Sequence, residues 1–280
     1  MKIQCPFCGA KYEAPPGRKF YVCPYCGTVL SEGKTYENVY VFKPTVDKTE
    51  AFRKALNFRP FGAPDDLPSA SPEAAELHFL PLYLYHITFS PLDELETYAT
   101  ALAVSTPPFK LPKRYVFPAR WRTPFKPSLE KIGVFHSPDL SPEETFSSLK
   151  DVVEEARDYA SVFKVRVSIE WSFEGIVYYP FWQLRYRYRD RPYGALVDAA
   201  EGSVLVLDYP ISRRGRAEGL GLAATAILSS SAVGALVGAY LYLAPALGAL
   251  GGALASLGAA ARLITFAASR TGKYEAAYRL

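Results

Sequence analysis

No charged side chain occurs between Glu218 and Arg262. A helix needs roughly 20 apolar residues to cross a lipid core about 30 Å thick. The run from Gly219 to Ala261 is too long for one crossing and long enough for two, so it reads as a two-helix transmembrane hairpin. Ala244-Pro245 supplies the turn, with one helix over Leu220 to Leu243 and the other over Ala246 to Ala267. Arg213, Arg214 and Arg216 precede the first helix, and Arg262, Arg270 and Lys273 close the second. Cations gather on the cytosolic side of a membrane, so both termini are expected in the cytosol of a cell-membrane protein. Gly234-x-x-x-Gly238 and Gly248-x-x-x-Gly252 suit close helix packing, inside the hairpin or between copies in a homo-oligomer. The competing reading is an Ala-rich helical pair buried in a soluble protein.

All four cysteines lie within the first 26 residues, as Cys5-Pro6-Phe7-Cys8-Gly9 and Cys23-Pro24-Tyr25-Cys26-Gly27. Each Cys-x-x-Cys turn aims two sulfurs at one point, and four thiolates suit one tetrahedral, structural Zn2+. The glycine after each pair permits positive φ. No signal peptide is expected ahead of Cys5, so the thiols are expected in a reducing compartment. So small a unit is held folded by its metal rather than by a core. Residues 1–30 resemble the zinc-ribbon family in both knuckles, with rubredoxin-like iron as the minor alternative. The set is closed, which argues against catalysis at the metal. The resemblance leaves protein contact, a purely structural role and nucleic-acid binding open for the ribbon.

The middle of the chain predicts an antiparallel-sheet α+β body. A strand is expected over Tyr36 to Phe42, after a linker at Ser31 to Lys34. Asp47-Lys48-Thr49-Glu50 opens a helix to Asn57 with Ala51, Phe52, Ala55 and Leu56 on one face. Strands follow at Leu77 to Phe89 and Glu96 to Val104. Ser141-Pro142-Glu143-Glu144 is a second capping box, opening a helix to Ala160. Lys164 to Phe173 alternates as a strand, Glu174-Gly175 reads as a turn, and Val177 to Tyr188 reads as the returning strand, followed by Tyr193 to Val197 and Val204 to Asp208.

His78-Phe79-Leu80-Pro81-Leu82-Tyr83 aligns with Val177-Tyr178-Tyr179-Pro180-Phe181-Trp182. Each block has a capped helix before it and a tyrosine-led strand after it, which predicts two divergent repeats. The expected domains are the ribbon at 1–30, a first half at 31–140, a second half at 141–212, and the hairpin with a short cytosolic tail at 213–280. Tyr178 to Trp182, Tyr186, Ala195 to Ala199 and Gly202 also resemble a pattern in prokaryotic, archaeal, membrane-anchored zinc-ribbon proteins. That resemblance implies a binding or accessory protein and transfers no active site.

Overall charge is nearly balanced, 32 basic against 28 acidic side chains, so any anionic partner must be met by a local patch. The densest is Lys110, Lys113, Arg114, Arg120, Arg122, Lys126 and Lys131, interleaved with Phe109, Tyr115, Phe117, Trp121 and Phe125. Basic and aromatic residues together suit stacked bases or an anionic membrane surface, and an ordinary solvated loop is the plain alternative. Beside a hairpin, membrane lipid or a protein partner, in a membrane complex, is preferred to nucleic acid. Arg185, Arg187 and Arg189 read as a solvated strand face. His78 and His86 would stand roughly 26 Å apart on a straight strand, and His136 sits alone in a loop, so the histidines make no site. Gly219-Leu220-Gly221 mimics a dinucleotide fingerprint but lacks the βαβ unit around it. With no nucleophile, carboxylate-pair or phosphate-loop motif, a binding role rather than an enzyme is expected, although Glu170, Glu174, Asp198 and Asp208 remain free to meet in the fold. Two Asn, two Gln and one Met beside 23 Pro lean towards a thermophilic source.

Overall fold

The structure is a computed structural model that describes residues 2–6, 9–13, 20–23, 28–31, 34–36, 38–90, 96–112, 115, 117, 122–149, 154, 158, 168–241 and 244–277. It is an α+β protein with three parts: an N-terminal ribbon, a nine-stranded sheet and a helical hairpin.

The ribbon holds a two-stranded unit, β1 (Lys2–Gln4) with β2 (Lys11–Glu13), and a meander of β3 (Phe20–Val22), β4 (Val29–Ser31) and β5 (Lys34–Tyr36). The expected linker at Ser31 to Lys34 therefore joins two paired strands. The expected strand at Tyr36 to Phe42 is split: β5 stays with the ribbon, while β6 (Val39–Val41) joins the large sheet.

Helix α1 (Lys48–Asn57) starts where the Asp47 carboxylate accepts the Glu50 N–H at 2.8 Å, and it buries the four residues its spacing predicted. Two very long strands follow at the centre of the sheet, β7 (Ser71–Ser90) and β11 (Ser168–Tyr188), paired antiparallel over almost their whole length. Flanking β7 are β8 (Glu96–Leu102) and the two-residue β10 (Val134–Phe135); the two-residue β9 (Thr123–Pro124) pairs with β6. Flanking β11 are β6 and β12 (Arg191–Asp198), and β13 (Val204–Pro210) follows β12.

The turn expected at Glu174-Gly175 is instead a β-bulge inside one continuous strand. Phe173 pairs with Tyr85 and Gly175 with Leu84, leaving Glu174 as the extra residue. Side chains alternate along a strand, so one extra residue swaps the parity. Ile169 and Trp171 before the bulge and Ile176 and Tyr178 after it thereby pack in the same core. Gly175 has φ +140°, and a Cβ there would collide with the Asn38 carbonyl oxygen, so glycine is required by conformation and by space.

The predicted repeat is present as a pseudo-two-fold. The dyad passes near the Leu80–Tyr179 pair and superposes Pro81 on Pro180. Parallel hydrogen bonds obey it outside the long strands. Phe42 N–H donates to Tyr178 O as His136 N–H does to Phe79 O, and Thr45 and Val46 N–H donate to Ala199 O as Asp139 and Leu140 N–H do to Ala103 O. Trp182 Nε1–H donates to Val46 O at 2.8 Å, and Tyr83 O–H donates to Leu140 O at 2.8 Å. The short strands are exchanged. β6, from the first repeat, runs parallel to β11, and β10, from the second, runs parallel to β7. The second repeat thus begins near Gly133, ahead of the capping box that marks it in the sequence.

That box is present at Ser141, with both reciprocal bonds, but α2 (Pro142–Phe146) closes after five residues. Beyond Leu149 the predicted helix lies outside the described residues, except Glu154 and Asp158, which are helical. The two helices cover one face of the sheet, where Tyr85, Tyr178 and Tyr186 are fully buried. The other face carries Leu80, Leu82, Val177, Tyr179 and Phe181.

The predicted hairpin is α3 (Arg213–Tyr240) and α4 (Pro245–Ala268). It does not end in a free tail. Residues after it form β14 (Thr271–Glu275), paired antiparallel with β13, so the helices are a long excursion between neighbouring strands. The polar sequence Thr-Gly-Lys-Tyr-Glu gave no strand periodicity, as befits a short edge strand. The glycine spacing is used inside the hairpin. Gly234 and Gly248 meet backbone to backbone, and a Cβ on Gly252 would collide with Ser230 O. Gly234→Leu is therefore expected to cost about 1–3 kcal/mol by forcing the helices apart, read as a lower unfolding midpoint in detergent. An unchanged midpoint would refute the crossing.

Candidate functional site: ribbon, aromatic face and histidine pair

In the ribbon, Cys5 and Cys23 are both buried and occupy equivalent positions. Cys5 N–H donates to Ala10 O at 2.8 Å and Cys23 N–H to Thr28 O at 2.9 Å, so each chain segment folds back five residues later. Gly9 N–H closes the first knuckle on Cys5 O at 2.8 Å, with Gly9 at φ +73°. Two buried cysteines, each followed in the sequence by a second cysteine three residues on, fit a tetrahedral Zn2+. Cys8 and Cys26, which would complete the set, lie outside the described residues.

The basic, aromatic segment is not an open platform where it is described. Phe109, Tyr115 and Phe117 pack edge-on against Phe181 and Tyr179 and close the second face of the sheet. They are partly buried against that core, which takes up their ring contacts. Phe125 is buried against Phe135 and Tyr178. Arg122 lies over the rings of Tyr40 and Tyr98, 5.1 and 5.6 Å from their centroids. Lys110 and Lys126 are exposed. Lys113, Arg114, Arg120 and Trp121 lie outside the described residues.

What fastens this segment to the sheet is Asp198, which is fully buried. Its Oδ2 accepts the hydroxyls of Tyr115 at 2.5 Å and Tyr179 at 2.8 Å, and its Oδ1 accepts the N–H groups of Ala200 and Glu201, each at 2.8 Å. Burial, then the adjacent carboxylate, pushes both tyrosine hydroxyls far above their ordinary range, so they act as fixed donors. Glu170, Glu174 and Asp208 do not join Asp198 in a carboxylate cluster among the described residues.

The histidine reading needs correction. His78 and His136, 58 residues apart, are in contact: His78 Nδ1 is 3.0 Å from His136 Nε2, and His78 Nε2 is 3.1 Å from Gln183 Oε1. The exchange of β10 onto β7 brings them together, and local spacing could not reveal it. Both contacts are satisfied when His78 Nε2–H donates to Gln183 Oε1 and His78 Nδ1 accepts from His136 Nε2–H. Burial lowers the His78 pKa below its ordinary 6.5, opposed by Gln183 and by Glu76 at 3.4 Å. A histidine held neutral when folded but free to charge when unfolded removes stability as pH falls through 6.5 and leaves it intact above. Stability is thus expected to drop as pH falls below about 6.5. The double variant His78→Val with His136→Phe, copying the dyad-related Val177 and Phe42, is expected to flatten that slope. A parent profile without the slope would refute the assignment.

A family model described as TFIIB zinc-binding matches residues 3–40. That segment is a zinc ribbon, and the matched span ends in β6, where the large sheet begins. No curated protein and no solved structure gives a significant match to the chain.

Proposed function

We propose that the protein is a membrane-anchored accessory protein that holds a protein partner at the cytosolic face through its zinc ribbon and sheet, by binding rather than by catalysis. The observation that carries this reading is the surface of the hairpin. α3 and α4 are both long and apolar enough to cross a membrane, and only 6% and 11% of their most apolar windows are buried. Leu228, Leu236 and Tyr240 are 70, 72 and 83% exposed. Helices that build a soluble core hide such residues, so a lipid environment accounts for them. Because α3 leaves from β13 and α4 returns to β14, both ends meet the sheet on one side, in keeping with two cytosolic termini. The ribbon's closed thiolate set supports one structural zinc and a role in contact rather than chemistry.

Alkaline carbonate should leave the chain in the membrane, and reporters at both termini should report cytosol. A partner purified in mild detergent should be retained by the parent and lost with Cys23→Ser. Release by carbonate, or purification of the chain alone, would sink the reading. A membrane-tethered nucleic-acid-binding regulator is the second reading, favoured by the TFIIB description of the matched ribbon. It requires salt-dependent binding of DNA or RNA by the detergent-purified chain, and absence of binding at low salt rejects it.

A further inference from the structure

We propose that the cleft where the hairpin joins the sheet binds the phosphate headgroup of an anionic phospholipid. The proposal rests on the membrane reading of α3 and α4.

The cleft has a volume of about 940 Å³, within the range of small-molecule sites. Arg189, Arg191, Arg213, Arg214, Arg216 and Arg270 line it, against Asp65, Asp66 and Glu218. Two of the arginines are matched internally, Arg189 by Asp66 at 3.0 Å and Arg214 by Glu218 at 2.7 Å. Arg191, Arg213, Arg216 and Arg270 have no acidic partner within 4 Å among the described residues. Arg216 Nε is buried and makes no hydrogen bond. A buried donor left unmet is costly, and no protein acceptor claims this edge of the guanidinium.

Guanidinium groups fit phosphate through paired N–H donors, better than they fit a point charge. The start of α3 adds backbone N–H groups and the positive end of its dipole. The cation rule for membrane proteins accounts for Arg213, Arg214, Arg216 and Arg270, which flank the two helices. Arg189, in the turn after β11, and Arg191, the first residue of β12, come from the sheet, and Arg189 and Asp190 in that turn are held at φ +46° and +63° without glycine. Sheet and hairpin thus contribute cations to one cavity.

Its walls are fixed before any ligand arrives. Arg59 donates to Pro64 O and Asp65 O, both at 3.0 Å, setting the 60–66 loop. Ser212 N–H donates to Gly62 O at 2.8 Å, and Ile211 N–H to Arg270 O at 3.0 Å. Gly215 touches the Gly62 backbone so closely that a Cβ has no room. A phospholipid is favoured over free phosphate by position. Leu220, 52% exposed, lies one helical turn beyond Arg216, about 6 Å along the axis. The cations end where the apolar surface begins, which is the geometry of a headgroup with its tails beside α3.

The test uses the full chain in mild detergent, titrated separately with short-chain phosphatidylglycerol, short-chain phosphatidylcholine and inorganic phosphate, reading the unfolding midpoint. Phosphatidylglycerol should raise the midpoint, salt should weaken the effect, and the other two should do little. Arg213→Gln with Arg216→Gln should weaken phosphatidylglycerol binding about tenfold or more, as should Arg191→Gln with Arg270→Gln if the first pair lowers the midpoint without lipid. Arg185→Gln, on the sheet away from the cleft, should behave as the parent. Equal responses to the two lipids, an equal response to inorganic phosphate, or unimpaired binding in both double variants would overturn the proposal. Carbonate extraction separates the two claims: an inserted chain indifferent to phosphatidylglycerol refutes only the cleft, whereas a chain released from the membrane refutes the anchor.

Discussion

Asp198→Ala is expected to lower the stability of the sheet by about 3–5 kcal/mol, the range for removing one partner of a buried charged network. One carboxylate accepts four hydrogen bonds, two from tyrosine hydroxyls and two from backbone N–H groups. Alanine removes the shared acceptor of all four donors, at a position that is itself fully buried. The damage should spread in two directions. The turn between β12 and β13 loses the oxygen that organises Ala200 and Glu201, and the segment carrying Tyr115 loses its tie to the sheet. Asn at the same position keeps an oxygen for the backbone N–H groups but cannot accept from both tyrosines, so Asp198→Asn should lose about half as much. Chemical unfolding followed by near-ultraviolet circular dichroism measures both. An alanine variant within about 1 kcal/mol of the parent would show that the network does not hold the segment.

The second large effect is expected in the ribbon. Metal analysis should find about one zinc per chain, and Cys23→Ser or a strong chelator should unfold the ribbon while the nine-stranded sheet persists. Structural zinc contributes on the order of 10 kcal/mol in units of this size, more than their small apolar core supplies. Amide exchange resolves the parts: protection in β1 to β5 should collapse, and that in β7 and β11 should not. Retained ribbon protection in metal-free protein would refute a zinc-held fold.

The features legible in the sequence are those whose physics is local. Cysteine knuckles must keep their spacing to reach one ion. A membrane-length run must exclude charge. The Asp47 and Ser141 caps work within three residues. What escaped notice is decided between distant segments. β10 is too short for any periodicity, and the exchange of β6 and β10 between repeats is visible only as paired bonds across the dyad. The histidine pair is a product of that exchange, and the Asp198 network joins segments more than 80 residues apart. Glu174-Gly175 carries the composition of a turn, and only the facing strand reveals a bulge. The aromatics at Phe109, Tyr115 and Phe117 looked available because their neighbours are cationic; a whole sheet face was waiting to be covered.

The position of β14 sets an order of events on the growing chain. The last strand of the sheet is made only after both hairpin helices, so the body is not finished when its first eight strands have left the ribosome. If the hairpin enters a bilayer as proposed, insertion precedes closure of the sheet, and the membrane acts as a checkpoint in folding. A chain cut after Ser212 would be no soluble version of this protein. It would present β13 as a bare edge of Val204-Leu205-Val206-Leu207, the kind of strand on which other chains assemble.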